Sequence, residues 1–112
     1  MLIIRSRGES LDSNKKDRVL QLLGLAQRAG RLISGEDIVV EAIRKHQVKL
    51  VFLANDAANN LDKKVRDKSN TYQVEVVTAF STLELSAAVG KSRKVLGVTD
   101  AGFTKKMRSI MK

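Results

Sequence analysis

The chain has no cysteine, no proline and no tryptophan, and its few aromatic residues are Phe52, Tyr72, Phe80 and Phe103. The absence of cysteine excludes a disulfide framework and any thiolate metal site, and it fits a reducing compartment. The scarcity of rings excludes a sheet that stacks RNA bases on exposed aromatics, because Phe52 falls in the most apolar segment and is expected in the core. Long apolar runs are missing too. No segment approaches membrane-spanning length, and residues 1–4 are too short for the apolar part of a signal peptide, so a soluble, cytoplasmic protein is expected. No glycine-rich phosphate loop of Walker or Rossmann spacing follows a strand. No His/Cys/Asp group has metal-ligand spacing. The lone histidine, His46, falls between a helix and a strand with no nucleophile nearby, so it reads as a solvated turn residue. No catalytic residue, metal or cofactor is therefore assigned.

Acid is the other shortage. The chain carries 21 Lys and Arg against 12 Asp and Glu, a formal charge of +9. The excess is uneven: +4 over residues 1–31, −1 over residues 32–90 and +6 over residues 91–112. Two cationic ends that meet on one face would form an electrostatic footprint for a polyanion. A lysine-rich surface that only keeps the protein soluble is the plainer explanation. Hydrophobic residues make up 43%, too many for a disordered chain. At 112 residues, this is expected to be one domain around a single modest core.

Residues 1–14 are polar after the first four and read as a flexible arm, with one domain over residues 15–112. A helix pattern starts at Lys15, where Val19, Leu22, Leu23, Ala26 and Ala29 share a face, and Gly30 sits at its left-handed cap position. Leu32 and Ile33 suggest a very short strand. The spacing of Ser34 and Asp37 resembles a capping signature for a second helix with Ile38, Val39, Ala42 and Ile43 on its apolar stripe. Residues 48–54 form a near-continuous apolar run, the pattern of a strand covered on both faces. A third helix over about residues 57–67, a loop at residues 69–71 and a strand over residues 72–78 follow. Ser81 and Glu84 form a capping box for a short helix ending at Gly90. A basic loop at residues 91–94, a strand over residues 95–99 and a basic helix over residues 103–111 complete the chain. This alternation predicts an α/β fold with helices on both faces of a central sheet.

Asp56, at the end of the buried run, lies where α/β proteins place ligands, as in a phosphorylated receiver domain. That chemistry needs a second acidic pair to hold Mg²⁺, which the Leu32–Ile33 link does not supply. Capping of the third helix by Asn55 or Asp56 is the preferred reading. The remaining candidate is a helix start beside a basic loop. Backbone N–H groups near Ser34 and Gly35 suit a phosphate or a base edge, and Glu36 and Asp37 offer carboxylates to base amino groups. Acids in a first helical turn also complement the helix dipole and often do nothing else.

The segments LLGLAQRAGRLISGEDIVVEAIRKHQVKLVFLANDA and LELSAAVGKSRKVLGVTD resemble the L-seven-Ae/L-thirty-e family of ribosomal proteins, over Lys16 to the C-terminus. The resemblance implies a three-layer α/β/α sandwich, with a central mixed sheet of about four strands flanked by about five helices. It implies a monomeric, non-enzymatic RNA-binding protein that is ribosome-associated. The implied target is a kink-turn or similar internal loop, with no membrane and no small-molecule substrate. The implied recognition residues are Ser34, Gly35, Glu36, Asp37 and Ile38, with Lys91, Ser92 and Arg93 in the basic loop. Arg28, Arg31 and the more distant Lys105 and Lys106 are the further phosphate candidates. The archaeal pattern reads lysine-glycine-x-asparagine-glutamate at the helix start. Here Ser34, Asp37 and Ile38 replace the polar members, and Ser86 stands where a glycine is usual. Asp37 keeps an acceptor but loses an amide donor, and Ile38 cannot bond a base edge. A protein-interaction module on the same scaffold is the alternative reading, and a receiver-like enzyme acting through Asp56 is the third.

Overall fold

The structure, a computed structural model, describes residues 6–7 and 11–112. Helix α1 (Ser13–Arg28) leads into strand β2 (Leu32–Ser34) and helix α2 (Glu36–Arg44). Strand β3 (Leu50–Leu53), helix α3 (Asn59–Tyr72), strand β4 (Glu75–Val77) and helix α4 (Thr82–Val89) follow. Strand β5 (Val95–Val98) and helix α5 (Ala101–Met111) complete the order, and a two-residue strand β1 (Ser6–Arg7) precedes it all.

The sheet runs β1-β4-β3-β5-β2, parallel across its first three strands and antiparallel across β3, β5 and β2. It is mixed, and helices cover both faces, so the expected three-layer sandwich stands. Helices α1, α4 and α5 cover one face, where Leu23, Leu85 and Met107 close over Phe52, Leu96 and Val98. Helices α2 and α3 cover the other, where Val39, Ile43 and Val65 close over Val51, Leu53 and Val76. Buried on both sides, β3 has no polar position, which is why its sequence reads LVFL. At the crossing of β2, β5 and β3, a side chain on Gly97 would lie 3.1 Å from Val48 and 3.2 Å from Ile33. Glycine there lets both aliphatic groups pack over the strand.

Four expectations are corrected. Helix α1 begins at Ser13, because the Asp12 carboxylate accepts from the Lys15 N–H at 2.8 Å, so Asp12 is a helix cap rather than part of an arm. Ser6–Arg7 pairs with β4, and the rest of the expected arm up to residue 10 lies outside the described residues. Helix α3 runs on through residues 69–71 to Tyr72, because Ser69 turns inward and is fully buried, and it stops at Gln73 in the left-handed conformation. Asp56 does not cap α3, whose N-cap is Ala58 with no side-chain bond. Its carboxylate reaches forward to the start of α4, accepting from the Thr82 N–H at 2.9 Å and the Thr82 hydroxyl at 2.6 Å.

Candidate nucleic-acid interface

Register decides what meets what. In the antiparallel β2–β5 pair, Ser34 lies opposite Leu96 and Leu32 opposite Val98. The start of β5, and the loop at residues 91–94 that feeds it, therefore lies beside Ser34 and Gly35. Strand β3 ends there too, with Leu53 opposite Val95, so the chain leaves toward α3 at the same end of the sheet. The Asn55 N–H donates to the Phe80 carbonyl at 2.9 Å, which brings the start of α4 alongside. Three helix N-termini thus gather at one end. Helix α4 is closed by the Ser81–Glu84 capping box, whereas α2 and α3 start on Gly35 and Ala58 with no side-chain cap. An uncapped start leaves backbone N–H groups and the positive dipole end open to an anion.

The cap of α2 is Gly35 and not Ser34, which corrects the expected capping signature. Ser34 is held in the β2 ladder, so its hydroxyl cannot turn back onto the helix. Gly35 has φ 100° and ψ 151°, a conformation closed in practice to residues with a side chain. Its N–H extends the sheet by donating to the Val95 carbonyl at 3.2 Å. A side chain placed there would meet nothing within 4 Å, so the glycine opens outward rather than onto protein.

The freed Ser34 hydroxyl accepts from Arg93 Nε at 2.8 Å, tying the basic loop to the turn before α2. Arg93 in turn is fixed by Ser86. The Ser86 hydroxyl accepts from the Arg93 N–H at 2.9 Å and donates to the Arg93 carbonyl at 3.2 Å. The Lys94 carbonyl accepts from the Ala54 N–H at 2.8 Å, so the end of the loop is anchored to the end of β3. Between these groups lies a groove of about 330 Å³, with Leu61 and Val95 contributing apolar walls and Gly35, Glu36, Ser92 and Arg93 a polar rim.

The acids of the helix start divide. Glu36 is engaged by Lys64 of α3, with Nζ 3.0 Å from its carboxylate, and this pairing raises the Lys64 pKa. Asp37 stands 3.9 Å from the same ammonium, with its side chain 95% exposed. Ile38 is 59% exposed, an aliphatic group on the surface beside these acids.

The structure thus brings together Ser34, Gly35, Glu36, Asp37, Ile38, Lys91, Ser92 and Arg93. Arg28 lies in the last turn of α1, its guanidinium folded back toward Gly24, where α1 abuts the Ala88 carbonyl near the end of α4. Arg31 does not join them. It precedes β2 at the far end, where its carbonyl accepts from the Thr99 N–H and its guanidinium lies 3.9 Å from Asp100. Lys105 and Lys106 sit on α5, which starts at that far end. Sequence reasoning missed Lys64, Leu61 and the function of Ser86. Lys64 is 28 residues from its carboxylate partner and carries no local signal. Ser86 had one, as the residue replacing the usual glycine.

His46 is exposed, with φ 59° and its ring edge-on to Tyr72 at 5.7 Å. Asp56 is held below the ordinary aspartate pKa by the Thr82 hydroxyl and N–H. Among the described residues, no group of three or more His, Asp or Glu is placed to hold a metal ion, and no helix is long and apolar enough to cross a membrane.

Comparison with known proteins follows the same outline. The chain is 43% identical over 101 residues to the RNA-binding protein YlxQ of Enterococcus faecium, covering 90% of this chain and 98% of that protein. It is 46% identical over 91 residues to the RNA-binding protein YlxQ of Bacillus subtilis (strain 168), covering 80% and 91%. A solved structure from Bacillus halodurans, described as a protein of unknown function, superposes with a TM-score of 0.79 at 43% identity over 84% of this chain and 96% of that one. The 15.5 kD RNA binding protein of Giardia lamblia shares the fold, with a TM-score of 0.74 at 14% identity over 91% and 88%. Residues 17–108 match the Ribosomal protein L7Ae/L30e/S12e/Gadd45 family. With that match spanning most of the chain and the YlxQ proteins this similar over nearly their full length, the protein belongs to the L7Ae/L30e/S12e/Gadd45 family.

Proposed function

We propose that this protein is a non-enzymatic, cytoplasmic RNA-binding protein, associated with the ribosome as a monomer, that recognises a kink-turn or a similarly bent internal loop. The observation that carries this reading is the Arg93–Ser34 bond of 2.8 Å, which presents the basic loop and the uncapped start of α2 as one surface. Backbone N–H groups at the start of α2 approach a base edge or phosphate, and the absence of a side chain at Gly35 permits close contact. Asp37 is the more available carboxylate for base amino groups, because Lys64 holds Glu36 at 3.0 Å and Asp37 only at 3.9 Å. Arg28, Lys91 and Arg93 contact phosphates and set register without reading sequence. Binding favours the bent RNA from its existing population of shapes. The YlxQ relatives, named as RNA-binding proteins, support the same partner.

A gel shift with a kink-turn oligonucleotide against a straight duplex of equal length tests this. Preferential binding of the kinked RNA is expected, and equal affinity for both refutes kink recognition. The alternative, a protein-interaction module, draws on the exposed Ile38 at the helix start. It predicts no RNA shift with either oligonucleotide.

A further inference from the structure

Half of the cationic excess of the C-terminal segment is not at the interface described above. Lys105, Arg108 and Lys112 follow one another along α5 and its end at i, i+3 and i+7, which places them on one face. With Lys49, they line a cleft of about 470 Å³ between α5 and the segment leading into β3. This cleft lies at the Thr99 end of β5, about 13 Å of strand away from Val95 at the first site. Among the described residues lining it, Asp100 is the one acidic side chain, and it already caps α5 by accepting from the Phe103 N–H at 2.8 Å, while the main-chain oxygen of Lys112 accepts from Lys15 Nζ at 2.7 Å.

The walls are fixed. Arg108 Nε donates to Glu75 at 2.8 Å, and its terminal nitrogen donates to the Lys49 carbonyl at 3.0 Å, joining helix to sheet across the floor. Among the described residues, the ammonium groups of Lys49, Lys105 and Lys112 have no carboxylate partner. The dipole at the end of α5 accounts for Arg108 and Lys112, since cations there are favoured. It does not account for Lys105, a full turn earlier, or for Lys49 on another element. Hydroxyls of Thr104 and Ser109 add donors between the charges.

We propose that this cleft is a second RNA site, which takes the phosphate backbone of another RNA segment and lets the protein bridge two segments from opposite ends of its sheet. The identity of the polymer rests on the RNA reading above. The cleft has no exposed ring for stacking, and its charges suit phosphates, so it binds without reading sequence.

The test uses the full chain and a triple variant, Lys49→Gln with Lys105→Gln and Lys112→Gln, all at exposed positions. Affinity for a straight RNA duplex is measured against salt. The triple variant is expected to lower the slope of log K on log salt by about 2 to 3 units, near 0.9 for each lost contact. Amide shifts mapped by NMR on adding the duplex are expected around Lys49 and residues 98–109. An unchanged slope with no such shifts overturns the proposal. Equal shifts on adding poly-glutamate overturn the assignment to RNA. Kink preference is read separately through Arg93→Ala. Its loss leaves the cleft standing, and its retention in a triple variant that matches the parent on the straight duplex leaves the first site alone.

Discussion

Removing one hydroxyl, in Ser86→Ala, tests how the basic loop is held. That oxygen makes two bonds to the backbone of Arg93, at 2.9 and 3.2 Å, at a half-buried position on α4. Each such bond is worth about 0.5–1.5 kcal/mol net, and water replaces part of it here, so a loss of about 1–2 kcal/mol of stability is expected. The larger consequence is for binding. A loop that is no longer held must be ordered by its ligand, and fixing one further residue's backbone costs about 1–2 kcal/mol, or roughly 5–30-fold in Kd. The assays are urea unfolding, with the midpoint lowered and the m-value unchanged, and fluorescence anisotropy with a kink-turn RNA. Ser86→Gly, the residue usual in the family, removes the same bonds and adds about 1 kcal/mol of helix cost, so it is expected to unfold earlier still. If Ser86→Ala unfolds at the parent's midpoint and binds equally well, the hydroxyl does not organise the loop and the argument fails.

Four other outcomes are expected. Arg93→Ala weakens binding to kinked RNA and lowers the salt slope by about one unit, the loss of a single phosphate contact, and an unchanged slope removes Arg93 from the interface. Gly35→Val forces a branched side chain into φ 100°, costing about 1–3 kcal/mol of stability and nearly abolishing binding; a stable variant with parental affinity contradicts the assignment of the turn. Ser69→Ala removes a fully buried hydroxyl with no partner among the described residues, so denaturant unfolding is expected to show a gain of about 1 kcal/mol. Asp56 and Glu84 both have lowered pKa values. Thr82 bonding causes the first; for Glu84, burial raises the value but the Ser81 N–H and the Lys16 ammonium outweigh it. Depressed values mean stability that is present above the ordinary carboxylate range, near about 4, and lost as pH falls through the folded values. Asp56→Asn is therefore expected to flatten the acid limb of a stability profile, and an unaltered limb counts against the Thr82 contact.

The sandwich was legible wherever local chemistry and tertiary packing agreed. The run around Phe52, the Ser81–Glu84 box and the left-handed Gly90 each name an element and its boundary from neighbouring residues alone. Legibility failed where a distant partner overrode the local pattern. Residues 69–71 look like a turn, but running on as helix brings Tyr72 against the core of that face. Ser34 looks like a cap, but the β2 ladder claims its backbone and Arg93, 59 residues away, claims its hydroxyl. The helix start and the basic loop, expected to share one surface, are joined by the Arg93–Ser34 bond. Arg31 lies at the opposite end of β2 from Gly35 because three residues of strand separate them, a displacement that sequence proximity conceals. Lys64 was invisible because pairing between two helices on one sheet face leaves no periodic trace.

The pairing of Gly97 with both Val51 and Ile33 has a consequence for errors in assembly. Sliding β5 by a single residue would drive a bulky neighbour beneath Val48 and Ile33, and the same slip would carry Arg93 out of reach of Ser34. A molecule threaded wrongly at its centre therefore cannot present an intact surface at its rim. Interior fit acts as a proofreading step for the ligand-facing end, and mutations that loosen the first are expected to blur the second.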